Sequence, residues 1–352
     1  ADESPIPQFG SQRGGKYDVL CLWEPRGPGS MSSYLHTLQL NLNSVIVIYL
    51  GSLSTAERFR FRKQARGEKP LSVALLDEVL LLFLLREASP RINAFLRCAL
   101  PLGRFNPYSP TGPVFAEMFF GRSYEKETLQ QQQGKALVFG GRQLGKSALL
   151  QQVQREFHSP PNDRYVLREE IKFVGVPAGG YAVSQPIWRH LQLGLERLGL
   201  LAHGDRTAPE EIADDIREMM RHHPNRRILV LFDEADNFLA ADLKSEFREV
   251  SRLKRVMDDT DRRFKVVLAG LHNVQRYHHT PNQPFAGLEQ LTINPLGPRA
   301  AKDLVQGPIE ALGFRFPDDD DTPVYSILAY TNYHPGLIQL FCHHLLTLMN
   351  RK

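Results

Sequence analysis

The sequence predicts an α/β protein. Its centre is a parallel sheet with helices on both faces, followed by a C-terminal helical lid and preceded by a separate small N-terminal α/β domain. Three observations lead there. Short apolar runs alternate with helix-spaced segments between residues 135 and 293, the pattern of a parallel sheet built from strand–helix repeats. A glycine-rich octapeptide, GGRQLGKS from Gly140 to Ser147, sits between one such run and one such helix. A continuous apolar run, Ile228 to Phe232, ends in the carboxylates Asp233 and Glu234, as a strand covered on both faces would.

In order, the central region reads as a strand at 135–139, a helix at 146–158 and a strand at 164–174. Helices near 186–200 and 209–222 precede a strand at 228–232. A helix at 242–258, a strand at 264–269 and a strand near 289–293 complete it. Beyond that the spacing becomes purely helical, at 298–313, 321–331 and 335–350, and Asp318 to Asp321 place negative charge where a helix begins. The stretch NPYSPTGP, Asn106 to Pro113, has the composition of a linker. The expected division is therefore 1–112, 113–296 and 297–352.

The octapeptide fits the phosphate-loop pattern G-x-x-x-x-G-K-[ST] in full. Backbone N–H groups from Gly140, Gly141, Arg142, Gln143, Leu144, Gly145, Lys146, Ser147 and Ala148 would wrap a polyphosphate at a helix N-terminus. Gly140 and Gly145 permit backbone geometry that a Cβ hinders. Lys146 would reach the β- and γ-phosphates, and Ser147 would ligate Mg²⁺. Asp233 suits the Mg²⁺ shell, which takes oxygen ligands and keeps several waters. Glu234 suits orienting the attacking water. A P-loop NTPase using ATP/ADP and Mg²⁺ is the expectation, with Lys146 and Glu234 catalytic.

Composition sets the limits. The chain has 352 residues, 42% hydrophobic and 23% charged, in the range of globular proteins. A net charge of +4 permits nucleic-acid binding without arguing for it. The three cysteines, Cys21, Cys98 and Cys342, lie far apart with no CxxC, which implies a reducing, cytoplasmic setting and no structural zinc. The longest apolar stretch, Leu71 to Leu85, is short for a membrane span and carries Asp77 and Glu78. The pairs His222–His223, His278–His279 and His343–His344 lack the i, i+4 partners of a metal site.

Taken together, FFGR with Glu125 (Phe119 to Arg122), GGRQLGKS, LFDEAD, VVLAGLHNV and YHPGLIQLF resemble the AAA+/STAND group of P-loop ATPases. The branch is similar to bacterial and archaeal origin-recognition ATPases, and the resemblance spans roughly residues 114 to 350. It implies that Phe120, Gly121 and Arg122 pass near the adenine and that Pro335, in His334–Gly336, packs on the base. It also implies a γ-phosphate sensor at Asn273, with His272 equally placed, and an arginine finger at Arg276 serving a neighbouring subunit. Such families often carry a winged-helix domain after the lid. The chain ends at Lys352 and begins at ADESP, so it reads as a piece of a longer protein, or one whose effector and DNA functions lie elsewhere.

Residues 1–110 read as strands at 16–24 and 44–51 with a helix at 31–40, then a basic amphipathic helix at 54–67 followed by the apolar run 73–85, an order that suggests a small α/β layer structure. Arg58, Arg60, Arg62, Lys63 and Arg66 on the basic helix could meet phosphates. Leu75 to Glu78 echo the downstream acidic pair, but no phosphate loop precedes them, which favours a structural role. Three function classes follow: a STAND-like signalling or defence ATPase that self-associates, an origin-recognition-like or transposition-linked ATPase acting on DNA, and a nucleotide-locked scaffold without turnover.

Overall fold

In a computed structural model, the described residues are 18–23, 44–57 (except 52), 72–86, 95, 98–99 and 106–171 (except 113), then 184–271 (except 205–207) and 288–349 (except 312–313, 315 and 317–319). The chain divides into two compact units, the first Ala1–Phe120 with Gly297–Lys352 and the second Gly121–Leu296. Among the described residues, no helix is long and apolar enough to cross a membrane.

The first unit contains a parallel sheet of β1 (Asp18–Trp23), β2 (Ser44–Leu50) and β3 (Ser72–Asp77), with β2 in the middle. The apolar run 73–85 is a strand followed by a helix: its first part lies in β3, and α1 (Glu78–Arg86) starts only after Asp77. An unbroken apolar run suits a strand as well as a buried helix, and the parallel ladder of β3 with β2 decides between them. Asp77 accepts the Leu80 N–H at 3.0 Å, capping α1, which is the structural role expected of it.

The same unit holds α8 (Pro298–Ala311), α9 (Thr322–Thr331) and α10 (Pro335–Met349); α2 to α7 belong to the second unit. The stretch from Asn106 is anchored on these helices. Buried Tyr108 donates its hydroxyl to the carbonyls of Leu304 and Val305 (3.0 and 2.8 Å), and Asn106 donates to the His343 carbonyl at 3.0 Å. Beside Tyr108, burial pushes the Cys342 thiol up to about 12.

The second unit is the predicted α/β core. It contains α2 (Ser123–Gln130), β4 (Leu137–Gly140), α3 (Lys146–Phe157) and β5 (Arg164–Glu170). After them come α4 (Ser184–Arg197), α5 (Pro209–His222) and β6 (Arg227–Asp233). Last are α6 (Asp236–Asp242), α7 (Arg248–Asp259), β7 (Phe264–Gly270) and β8 (Gln290–Ile293). All five strands are parallel in the order β5-β6-β7-β4-β8, with helices on both faces. β6 and β7 are buried almost throughout, as their continuous apolar sequences require.

The helix expected at 242–258 starts later: Asp242 ends α6, Leu243–Ser245 is a 3-10 turn, and Glu246 and Phe247 take left-handed backbone angles (φ 55° and 56°) before α7 begins at Arg248. Buried Asp242 accepts the N–H groups of Glu249 and Val250 at 3.1 and 2.9 Å, so its carboxylate caps α7 from the end of α6. Glu249, also buried, accepts the Trp188 indole N–H at 2.7 Å and pairs with Arg252.

Candidate functional site

Parallel strands place their following loops along one edge of the sheet, and β4 lies between β7 and β8. The octapeptide leaves β4 at Gly140 and enters α3 at Lys146. Gln143 (φ 55°) and Gly145 (φ 90°) take left-handed angles that turn the chain into the helix. Glycine is required at Gly140 for a different reason. A Cβ there would stand 2.8 Å from Ile293 Cβ and 2.9 Å from the Ile293 carbonyl oxygen, so β4 and β8 could not keep their spacing.

Lys146 is buried, and its ammonium donates to the carbonyls of Gly140 and Gly141 at 2.8 and 2.9 Å. Burial pulls its pKa down, while Asp233, Glu234 and Asp236 push it back up. The predicted loop lysine and the predicted acidic pair therefore share one electrostatic environment, with Asp236 as a member that the sequence reading missed. Asp236 accepts the Leu271 N–H at 2.6 Å, tying the end of β7 to the acidic turn. A carboxylate three residues beyond the strand-terminal aspartate was the available signal.

Asp233 ends β6 and is buried. One of its oxygens accepts the Glu234 N–H at 3.0 Å, and the other is buried with no hydrogen-bond partner. A carboxylate oxygen in that state is costly unless a cation or water meets it. Mg²⁺ takes oxygen ligands of this kind, and Ser147, at the start of α3, is exposed. Glu234 is exposed and has φ 57°, a left-handed angle uncommon for a side chain of its kind.

Arg122 has a place in this unit that its motif alone did not reveal. Its guanidinium donates to the Leu144 carbonyl in the loop and to the Asn294 carbonyl just after β8, both at 2.8 Å, and pairs with Glu125 at 3.0 Å. It thus fastens the phosphate loop to the neighbouring strand. We expect Arg122→Ala to lower the thermal midpoint, because these bonds are made within the fold by a nearly buried guanidinium, and to weaken ATP binding by roughly tenfold through the loosened loop. Arg122→Lys, a point charge without the planar fork, should recover only part of it. Titration of a fluorescent ATP analogue against both variants checks this.

Of the remaining expectations, Gly141 and Arg142 are exposed, Leu144 and Ala148 are half-buried, and Gly121 precedes Arg122 in the second unit. Phe120 and Pro335 belong to the first unit, where Pro335 opens α10 as a first-turn proline can. Asn273, His272, Arg276 and the basic cluster from Arg58 to Arg66 lie outside the described residues.

No curated protein matches the chain. Among solved structures it is similar to the ORC2 protein of Aeropyrum pernix. The form with ADPNP and ADP shares 13% identity over 55% of this chain and 53% of that one, with a TM-score of 0.41. The ADP form shares 16% identity over 62% and 58%, with a TM-score of 0.34. The chain spans little more than half the length of either. Residues 129–277 match the protein family described as an AAA domain, and that segment contains the loop 140–147, buried Lys146 and the acidic turn 233–236 around which the site is built.

Proposed function

We propose that the chain binds ATP with Mg²⁺, hydrolyses it slowly, and uses the nucleotide state as a switch for self-association. The observation that carries this is the grouping of Lys146 with Asp233, Glu234 and Asp236, with one Asp233 oxygen buried and unsatisfied. In this reading the backbone N–H groups from Gly141 to Ala148 hold the phosphates, and the Lys146 ammonium leaves its two loop carbonyls for phosphate oxygens. Asp233 and Ser147 would hold Mg²⁺, which supplies charge neutralisation at the transferring phosphoryl group. Glu234 orients water for attack on the γ-phosphate. Little covalent chemistry falls to the protein, so positioning and electrostatics carry the rate. Asn273 or His272 would sense the γ-phosphate, and Arg276 would act on a neighbouring copy.

The deciding experiment is the ATPase rate over a range of protein concentrations, with and without duplex DNA, with the Glu234→Gln protein as blank. A low rate that climbs with protein concentration and ignores DNA supports the self-associating switch, of the STAND-like signalling kind. Stimulation by DNA would replace that reading with an origin-recognition-like ATPase. A wild-type rate equal to the blank at every concentration would leave a nucleotide-locked scaffold.

A further inference from the structure

The amino ends of β5, β6 and β7 carry cations that the nucleotide chemistry does not use. Arg164 opens β5, Arg227 opens β6, and the two are partners across the ladder. Lys265, the second residue of β7, is buried and donates to the carbonyls of Leu129 and Gln131 at 3.0 and 2.7 Å. Arg227 donates to the carbonyl between them, that of Gln130, at 2.6 Å. Two nearby cations have carboxylate partners: Arg226 pairs with Asp163 at 2.9 Å and Arg262 with Asp258 at 3.6 Å. Arg164 and Arg227 have none among the described residues.

Burial and then Arg164 lower the pKa of Arg227, and burial, Arg262 and Arg227 bring Lys265 down to about 7. Both guanidiniums lie over the ring of Phe157, at 4.8 Å for Arg227 and 5.7 Å for Arg164. Around them opens a cavity of about 300 Å³ lined by Glu127, Gln130, Gln131, Phe157, Arg164 and Arg227.

We propose that this cavity is a second anion site, separate from the phosphate loop, and that it takes a phosphate group. Two guanidiniums in one small cavity offer planar N–H forks matched to phosphate oxygens, and their paired positive charge calls for a dianion. Gln130 and Gln131 complete the lining with neutral residues, the Gln130 amide also donating to Glu156 at 3.1 Å. Phe157 supplies a rigid apolar floor that keeps the two forks in place. Glu127 is the one carboxylate in the lining, and it opposes an anion there. The site is distinct from the loop because Phe157 and Lys146 are the last and first residues of α3, a 12-residue helix. At about 1.5 Å of rise per residue, the two sites stand roughly 16 Å apart along it.

The phosphate could belong to a free phosphorylated compound or to a nucleic-acid backbone, and one experiment separates them. Inorganic pyrophosphate is titrated calorimetrically into the full chain and into Lys146→Ala, Arg164→Gln and Glu127→Gln proteins. The wild type should show two classes of site, one lost in Lys146→Ala and the other surviving it. Arg164→Gln should weaken the surviving class roughly tenfold or more. Arg164 is exposed and its hydrogen bonds to Ser159 are made by its backbone, which the substitution keeps, so this variant should fold normally. Glu127→Gln should tighten the same class. Short duplex DNA that displaces pyrophosphate from it marks a backbone phosphate as the natural ligand, and failure to displace it marks a free phosphorylated compound. The proposal is overturned if Lys146→Ala binds no pyrophosphate, or if Arg164→Gln titrates as wild type. It is equally overturned if Glu127→Gln lowers the melting temperature without tightening binding, because Glu127 would then be an internal partner of the arginines.

Discussion

Lys146→Ala is expected to lose ATP binding, with the affinity falling by at least about a hundredfold. Charge-assisted hydrogen bonds to a buried cation contribute on the order of 1.5–3 kcal/mol each, so losing two gives that factor or more. The surroundings sharpen the effect. Without the ammonium, the carbonyls of Gly140 and Gly141 and the nearby carboxylates Asp233, Glu234 and Asp236 are left facing the incoming phosphates uncompensated. The fold should survive, because Lys146 stands at the first position of α3, where alanine is an excellent helix former. Calorimetric titration with ATP, beside a circular-dichroism melt, reads both quantities. Binding within about threefold of wild type would mean that the loop does not cradle phosphate.

The phosphate loop and the acidic pair were legible because their chemistry dictates residue identity at fixed spacing. No other residue combines the reach and charge of Lys146, and an apolar strand ending in Asp233–Glu234 announces both burial and position. Arg122 was legible only as a motif letter. Its partners are backbone carbonyls of Leu144 and Asn294, the second 172 residues away, and a carbonyl leaves no mark in sequence. The same holds for Lys265 and Arg227, whose partners are the carbonyls at the end of α2. Ordinary charged residues at strand starts gave no sign that they converge.

Two stretches hid their structure for a common reason. The run from Val73 to Leu85 is apolar enough to satisfy either period, so spacing could not find the strand–helix change at Asp77. Likewise nothing local marked Glu246 and Phe247 as a break between helices, since neither is a turn residue. The break is held by Asp242 reaching forward to cap α7. In both places a buried aspartate caps the helix that follows.

Glu234 allows a test that separates catalysis from architecture. Glu234→Gln keeps the shape and should bind ATP as the wild type does, while turnover falls about a hundredfold or more, the contribution of a positioned base. Its backbone is pinned from both sides: its own N–H bonds to Asp233, and the Ala235 N–H bonds to the Ala269 carbonyl at 2.8 Å. Held there, it adopts φ 57°, which costs a non-glycine residue on the order of 1 kcal/mol or more. Glu234→Gly should therefore be at least as hard to melt as the wild type and yet just as inactive as Glu234→Gln. Stability and activity moving in opposite directions at one position would mean that the strained angle is kept for the carboxylate it aims. If Glu234→Gly loses stability instead, the side chain contributes to the fold, and a wild-type rate in Glu234→Gln would remove it from the reaction altogether.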